Sequence, residues 1–373
     1  MTAEVWLERV VERAMAVQHI PAPTFAESAR GALVRQFFVD EGLTDVQVDQ
    51  VGNVLARVPG KGIAKPLIVS AHLDTVFPAG TDLTLRRDAE KVYAPGIGDN
   101  SLGVAGLFGL VWELKARNIA LPGDVWVVAN VCEEGLGDLR GMKAVVERFG
   151  AAVTGYIILE GMSLGYVYHR GLGVRRYQIT ARTAGGHSWV DFGRPSAIHE
   201  LAALVCRLNN IPLPRQPRTS MNVGLISGGT SVNTIAAQAS LELDTRSEGK
   251  QELSALAEQV EELVKQANQP GAVQVIGEVI GERPAGEIPA NHPLVSLAVK
   301  ALQEQGIAAK LNIGSTDANT PLSHGFPAVT IGLTRGAGSH TVGEFIETRP
   351  LLQGLGQLFT LVESVFTHSD AYI

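Results

Sequence analysis

Short apolar segments alternate with helical patterns through the first part of the chain. Segments typical of buried strands lie at 66–72, 124–134 and 155–161, and helical patterns lie between them at 101–118 and 141–150. Such alternation is typical of an α/β domain with a largely parallel sheet. We therefore expect an α/β fold with a mixed, mostly parallel sheet and flanking helices.

The pattern changes near Gly171. Residues 172–184 alternate like a half-exposed strand, and helix, strand, strand, helix and strand patterns follow. This β-α-β-β-α-β order is typical of a split βαβ, or ferredoxin-like, α+β sheet. The first pattern resumes towards the C-terminus. We expect one domain formed by 1–170 and 286–373, interrupted by an inserted domain at 171–285.

Composition restricts the compartment and the partners. A chain of 373 residues with 45% hydrophobic and 18% charged residues is typical of a globular protein with more than one core. The net charge of −7 and the lack of a Lys/Arg run argue against a nucleic-acid or membrane partner. Two cysteines form no disulfide framework, and the N-terminal pattern is an amphipathic helix instead of a secretory signal. We expect a cytoplasmic protein.

Charged and imidazole side chains lie where several predicted segments end. Parallel sheets bind ligands beyond the carboxyl ends of their strands, and a charge near a buried segment needs a partner. Histidines combined with carboxylates suit a divalent ion such as zinc. Each residue alone is more often a loop charge or a helix cap, so the prediction depends on the set. The set is His72, Asp74, Asp99, Glu133, Glu134, Glu160 and His340.

Six motifs resemble, in order and spacing, those of a known enzyme family. They are "AHLDTV", "GIGDNSLGVAG", "CEEGLGDLRG", "GGHSWVDFGRPSAI", "NTIAAQASLELDTRS" and "GSTDA". The family is that of the di-zinc exopeptidases and deacylases, which includes carboxypeptidase G, tripeptidase T, succinyl-diaminopimelate desuccinylase and acetylornithine deacetylase. The resemblance covers nearly the whole chain and implies that the inserted domain is a lid and dimerisation domain.

The resemblance implies two divalent metal ions, with zinc expected and cobalt or manganese able to replace it. Asp99 is implied to bridge both ions, because one carboxylate can offer an oxygen to each. His72 and Glu160 are implied to bind one ion. Glu134 and His340 are implied to bind the other.

The resemblance also implies catalytic or supporting roles for two residues next to these ligands. Glu133 is implied as the general base that takes a proton from the bridging water and passes it to the leaving amine. Asp74 is implied to accept the other imidazole N–H of His72 and so to fix the ring. A cis peptide is expected between Asp99 and Asn100.

The resemblance further assigns roles in the inserted domain. His187 is implied to cross a two-fold interface and to donate a hydrogen bond to the oxyanion in the partner's active site, in a homodimer paired through 171–285. Arg246 resembles an arginine that binds a substrate carboxylate, with a surface salt bridge as the alternative. Asn233 either binds the substrate backbone or shapes a turn.

The sequence departs from the usual family pattern near the site. Asn100 and Ser101 replace an Asp and a Lys, and Ala236 replaces the proline of an "NxIP" motif near the substrate; Glu160 stands where relatives have Asp or Glu. Asp317 is expected either to line the pocket or to cap the next helix. The histidines that match no ligand position are His19, His169, His199, His292, His324 and His368.

Several functions remain open at this point. We expect an exopeptidase that hydrolyses the amide bond of a small peptide, with a di- or tripeptide favoured and deacylation of an N-acyl amino acid as the alternative. A serine hydrolase is a remote alternative, because "GMSLG" at 161–165 fits G-x-S-x-G but precedes an extended pattern instead of a helix. An inactive binding protein is a further remote alternative, since all the ligands and the base are present.

Overall fold

The computed structural model describes residues 3–367, so His368 lies outside the described residues. The chain divides into two compact units, which we call unit 1 (1–171 and 286–373) and unit 2 (172–285).

The helices and strands are labelled in chain order. The helices are α1 Ala3–Gln18, α2 Ser28–Asp40, α3 Leu102–Ala116, α4 Arg140–Phe149, α5 Ala197–Asn209, α6 Lys250–Gln266, α7 Pro293–Glu304, α8 Asn319–Ser323 and α9 Leu351–Thr367. The strands are β1 Thr44–Val48, β2 Val54–Val58, β3 Leu67–His72, β4 Arg86–Arg87, β5 Lys91–Tyr93, β6 Val125–Asn130, β7 Gly155–Glu160, β8 Tyr166–Gly171, β9 Gly173–Thr183, β10 Gly186–His187, β11 Thr219–Gly228, β12 Thr234–Ile235, β13 Gln238–Ser247, β14 Val273–Arg283, β15 Gly286–Glu287, β16 Lys310–Gly314, β17 Ala328–Gly332, β18 Gly336–Ala337 and β19 Phe345–Glu347.

Unit 1 contains a mixed sheet with a parallel centre. The strand order is β1-β2-β6-β3-β7-β17-β8-β15, with β16 paired to β8. Strands β6, β3, β7 and β17 are parallel, whereas β2, β8 and β15 form antiparallel pairs. Every residue of β3 is buried, which explains its continuous apolar run. The predicted α/β fold is confirmed.

One strand of this sheet is shorter than predicted. Strand β6 ends at Asn130, although the apolar pattern predicted a strand as far as residue 134. The reason is local, because Cys132 has a φ of 59° and this left-handed conformation cannot continue a strand. Glu133 and Glu134 therefore lie in a turn beyond the strand and not within it.

The amphipathic N-terminal pattern forms α1. Its buried face consists of apolar residues at helical spacing, including Val10, Val11, Ala14 and Val17. These residues belong to the hydrophobic core of unit 1. Across residues 3–367, no helix combines the length and the apolar character needed to cross a bilayer.

Unit 2 has the predicted β-α-β-β-α-β order. Its sheet has the order β11-β13-β9-β14, and all neighbouring strands are antiparallel. Buried and less buried residues alternate along β13, and its buried residues Leu241 and Leu243 share a core with Leu204 of α5 and Val260 of α6. One sheet face is thus covered by helices, and the ferredoxin-like prediction is confirmed.

Candidate metal centre

The predicted metal ligands lie at strand ends and loops of unit 1. His72 ends β3 and Glu160 ends β7, so both lie at the carboxyl edge of the parallel strands. Asp99 lies in the tight turn before α3, Glu134 follows β6, and His340 lies in the loop between β18 and β19. One ligand atom each of His72, Asp99 and Glu134 lies within 4.8 Å of the others.

These side chains form two groups that share Asp99. Its Oδ1 lies 3.2 Å from Nε2 of His72, and Oε2 of Glu160 lies 3.9 Å from the same nitrogen. Oδ2 of Asp99 lies 3.2 Å from Nε2 of His340, and Oε1 of Glu134 is also 3.2 Å from that nitrogen. Ligand atoms bound to one tetrahedral zinc ion lie about 3.3 Å apart. Each group therefore has a spacing suited to one ion, and Asp99 belongs to both groups.

The orientation of His72 suits a metal ligand. Its Nδ1 lies 3.0 Å from the backbone oxygen of Asp74 and 3.5 Å from Oδ1 of the Asp74 carboxylate. Both neighbours are acceptors, so in the neutral ring Nδ1 carries the proton and Nε2 keeps its lone pair. That lone pair is on the nitrogen nearest Asp99. The nearer acceptor is the backbone oxygen, whereas the sequence pattern implied the carboxylate.

The carboxylate of Asp74 holds the turn that carries Glu133 and Glu134. It accepts the backbone N–H groups of both residues, each at 2.9 Å, and the hydroxyl of Thr24 at 2.9 Å. Burial would raise the pKa of Asp74, but hydrogen bonds to His72 and to the two N–H groups lower it overall. Asp74 therefore stays ionised and fixes the start of the turn on which both glutamates lie.

The electrostatics of the cluster favour added positive charge. Burial raises the pKa of Glu160 well above its usual value; His72 opposes this shift, and nearby carboxylates, first among them Asp99, add to it. Hydrogen bonds to Asp99 and Glu134 raise the pKa of His340 to about 10. These shifts show that positive charge is favoured beside the crowded carboxylates, and protonated imidazoles or bound cations can supply it. Two divalent ions therefore fit the donor set.

Asn100 contributes to the site through its neighbours. Its Nδ2 donates to the carbonyl of Leu159 at 2.8 Å, and its Oδ1 accepts the N–H of Gly161 at 2.9 Å. These bonds hold both residues that flank Glu160. The expected cis peptide between Asp99 and Asn100 is confirmed. The sequence showed Asn100 only as a departure from a family pattern, because its partners lie about 60 positions further along the chain, on either side of the end of β7.

Asp317 is fully buried. Its Oδ2 accepts the side-chain N–H of Asn130 at 2.7 Å, at the end of β6. Ala318 occupies the cap position of α8. The carboxylate thus bonds the carboxyl end of β6 and does not cap α8, whereas the expectation that its segment lines the pocket stays a prediction.

Unit 2 brings His187 and Asn233 together. His187 pairs with Thr234 where β10 meets β12, and the N–H of Ser188 donates to the carbonyl of Asn233 at 3.0 Å. Nδ1 of His187 accepts the N–H groups of Trp189 and Val190 at 3.2 and 3.4 Å. In the neutral ring the proton therefore lies on Nε2, which can act as a donor.

Arg246 lies on β13 with its side chain 42% exposed. Its Nε donates to Asp244 at 2.7 Å, and Arg176 donates to the same carboxylate at 3.0 Å. The salt bridge considered as the alternative is therefore present. Two guanidinium groups thus share the carboxylate of Asp244.

The G-x-S-x-G segment does not form a nucleophile elbow. Ser163 follows β7, and strand β8 begins at Tyr166. A nucleophile elbow requires a helix at that point. The serine hydrolase alternative is therefore excluded.

The fold and the two-group cluster define the class of a metal-dependent amide hydrolase. The family model described as peptidase family M20/M25/M40 matches residues 68–364, so the chain belongs to this family. It is a metallopeptidase or amidohydrolase, in a family that includes a protein described as a dinuclear metal-binding peptidase.

Relatives include a peptidase and a deacylase. Carboxypeptidase G2 of Pseudomonas sp. is 28% identical over 307 residues, covering 78% of this chain and 71% of the relative. Succinyl-diaminopimelate desuccinylase of Corynebacterium glutamicum is 24% identical over 322 residues, covering 84% of this chain and 85% of the relative.

Solved structures share the fold over almost their whole length. A tripeptidase of Staphylococcus aureus has a TM-score of 0.83 at 20% identity, covering 97% of this chain and 99% of its own. The YxeP protein of Bacillus subtilis, described as a dinuclear metal-binding peptidase, has a TM-score of 0.70 at 17% identity. The match covers 98% of this chain and 99% of the YxeP chain. At these identities the likeness concerns the fold.

Proposed function

We propose that the protein is an exopeptidase that hydrolyses the amide bond of a di- or tripeptide at a centre of two metal ions, with zinc as the native metal. The observation that carries this proposal is the position of Asp99, whose two oxygens each lie 3.2 Å from a different histidine. A carboxylate placed in this way can serve two ions.

In this proposal His72 and Glu160 hold one ion, Glu134 and His340 hold the other, and Asp99 holds both. Divalent ions held in this way would supply Lewis acidity, which would make a water molecule more acidic and would polarise the carbonyl of the scissile amide. Asp74 keeps His72 in the tautomer that leaves Nε2 available.

Glu133 acts as the general base in this proposal. It accepts one proton from the attacking water and returns it to the leaving amine, so that one C–N bond is replaced by one C–O bond. The bond from its backbone N–H to Asp74 holds the turn from which its side chain extends.

A substrate carboxylate is proposed to bind Arg246, and the substrate backbone is proposed to bind Asn233. The 42% exposed side chain of Arg246 supports the first assignment, because a bidentate guanidinium is suited to a carboxylate. Deacylation of an N-acyl amino acid is the second candidate, and similarity to the desuccinylase over most of both chains favours it.

A homodimer paired through unit 2 is proposed, with His187 donating from Nε2 to the oxyanion in the partner's site. Large apolar side chains next to His187 support it, since Trp189, Val190 and Phe192 are 85%, 77% and 90% exposed. Exposed groups of this kind are typical of interaction surfaces. The low cysteine content supports a cytoplasmic location.

The test combines metal analysis with a substrate screen. Zinc-reconstituted protein should contain two equivalents of zinc, lose activity in a chelator, and release amino acids from di- or tripeptides in mass spectrometry. Glu133→Gln should lower kcat by about 10²- to 10⁴-fold while the metal content stays unchanged.

Glu147→Gln provides the control, because Glu147 is exposed on α4, in the segment that follows Glu133. It should retain wild-type activity. Release of acids from N-acetyl or N-succinyl amino acids, without peptide cleavage, would favour the deacylase. Full activity without metal would contradict the proposal.

A further inference from the structure

A further buried glutamate lies next to the metal cluster. Glu344 is fully buried, four positions after His340. Its Oε1 accepts the backbone N–H groups of Gly98 at 2.6 Å and Asp99 at 2.8 Å, and its Oε2 accepts that of Gly96 at 3.0 Å. The carboxylate thus receives three hydrogen bonds from the turn that carries Asp99.

The backbone of residue 344 binds the same region. Its carbonyl accepts the N–H of Ala94 at 3.1 Å, and its own N–H donates to Thr341 at 3.2 Å, next to His340. Gly96 has a φ of 71°, a conformation that favours glycine and turns successive N–H groups towards one point. Residue 344 therefore links the turn of Asp99 to the loop of His340.

A carboxylate suits this position better than a neutral side chain. Hydrogen bonds from N–H groups to an ionised acceptor are roughly twice as strong as neutral ones. A glutamine of the same shape would place one oxygen and one NH₂ group against three N–H donors. Burial raises the pKa of Glu344 to about 7, and the three N–H donors oppose that shift because they favour the ionised form. The geometry therefore suits both the charge and the reach of a glutamate.

We infer that Glu344 is a positioning residue, which fixes the turn at Gly96–Asp99 so that the Asp99 carboxylate lies between His72 and His340. This inference rests on the proposed two-metal centre. Glu344 is not one of the proposed ligands, and it acts on the ions through the backbone of Asp99.

The test uses variants that separate charge from reach. Glu344→Gln removes the charge and keeps the length, whereas Glu344→Asp keeps the charge and shortens the side chain by one methylene. Glu347→Gln and Glu347→Asp are matched controls, because Glu347 lies on β19 with a partly exposed side chain. Cobalt(II) is titrated into metal-free protein, with the visible absorption of bound cobalt, the affinity and the thermal midpoint of the metal-free form as readouts.

Both Glu344 variants should bind cobalt about 10- to 100-fold more weakly than wild type, with altered absorption bands. The controls should match wild type. If Glu344→Gln fails to fold, the result for Glu344→Asp tests the inference alone. This variant should fold, because it keeps a carboxylate facing the three N–H donors. A merely structural role would lower the thermal midpoint but leave the absorption bands of bound cobalt unchanged.

One result would overturn the inference: both variants bind two cobalt ions with wild-type affinity and absorption, whatever their thermal midpoints. If Glu344→Asp matches wild type while Glu344→Gln does not, the positioning role stands and depends on the charge of the carboxylate. Wild-type protein that binds no cobalt would instead contradict the proposed metal centre, and the inference with it.

Discussion

At the scale of the residue, Arg30 shows how a single buried cation supports the site. It is 1% exposed, and it donates to the carbonyls of Ile20 at 2.9 Å, Leu73 at 2.7 Å and Gln18 at 3.4 Å. Leu73 lies between His72 and Asp74 in the chain. Burial lowers the pKa of Arg30 to about 10, although Asp74 and another carboxylate oppose the shift, so it remains a cation at neutral pH. Arg30 thus holds the end of β3.

We predict that Arg30→Met lowers the free energy of unfolding of the metal-free protein by about 3 to 5 kcal/mol. The methionine fills much of the volume, but it leaves buried carbonyls without a donor and nearby carboxylates without a cation. Urea denaturation measures the change. Arg35→Met, at an exposed position of the same helix, should change the value by less than about 0.5 kcal/mol. Equal effects of both substitutions would refute the role of Arg30.

At the scale of the element, the turn before α3 is fastened to the end of β7. Asn100 bonds the backbone on both sides of Glu160, and Glu344 bonds the backbone at Asp99. The turn and the strand end therefore form one hydrogen-bonded assembly. Two proposed ligands, Asp99 and Glu160, depend on it for their separation.

We predict that Asn100→Ala lowers the free energy of unfolding by about 2 to 4 kcal/mol, because it orphans a buried carbonyl and a buried N–H. It should also weaken metal binding, since Glu160 loses the contacts on both sides. Denaturation and cobalt titration measure the two effects. Asn291→Ala, in an exposed turn before α7, should leave both quantities unchanged. A stable variant with unchanged affinity would show that Asn100 only fills space.

At the scale of the whole molecule, the proposed dimer makes each active site depend on two subunits. His187→Ala and Glu133→Ala should each be nearly inactive by themselves. When they are mixed, each heterodimer should regain about half of the wild-type activity, because one of its two sites keeps both native residues. Activity after subunit exchange, together with the mass of the species, measures this.

His199→Ala, at an exposed position of α5, serves as the control and should be fully active without mixing. No recovery in verified heterodimers, or an active monomer, would reject the role of His187 in the partner's site. Either outcome would leave the metal chemistry of unit 1 unaffected.

The sequence by itself determined the order of elements and the candidate ligands. Apolar runs and their polar ends are local features, so β3 and β7 could be predicted with His72 and Glu160 at their ends. The end of β6 could not be predicted in this way. Cys132 adopts a left-handed conformation just before Glu133 and Glu134, whose backbone N–H groups donate to the distant carboxylate of Asp74.

Only the tertiary structure decided which polar side chains hold the ligands in place. Glu344 is hydrogen-bonded to Gly96, 248 positions away in the chain, and Arg30 is hydrogen-bonded to Leu73, 43 positions away. In the sequence each looks like an ordinary surface charge next to apolar residues. Whether such a group is buried, and which backbone groups it then binds, depends on segments that only the folded chain brings together.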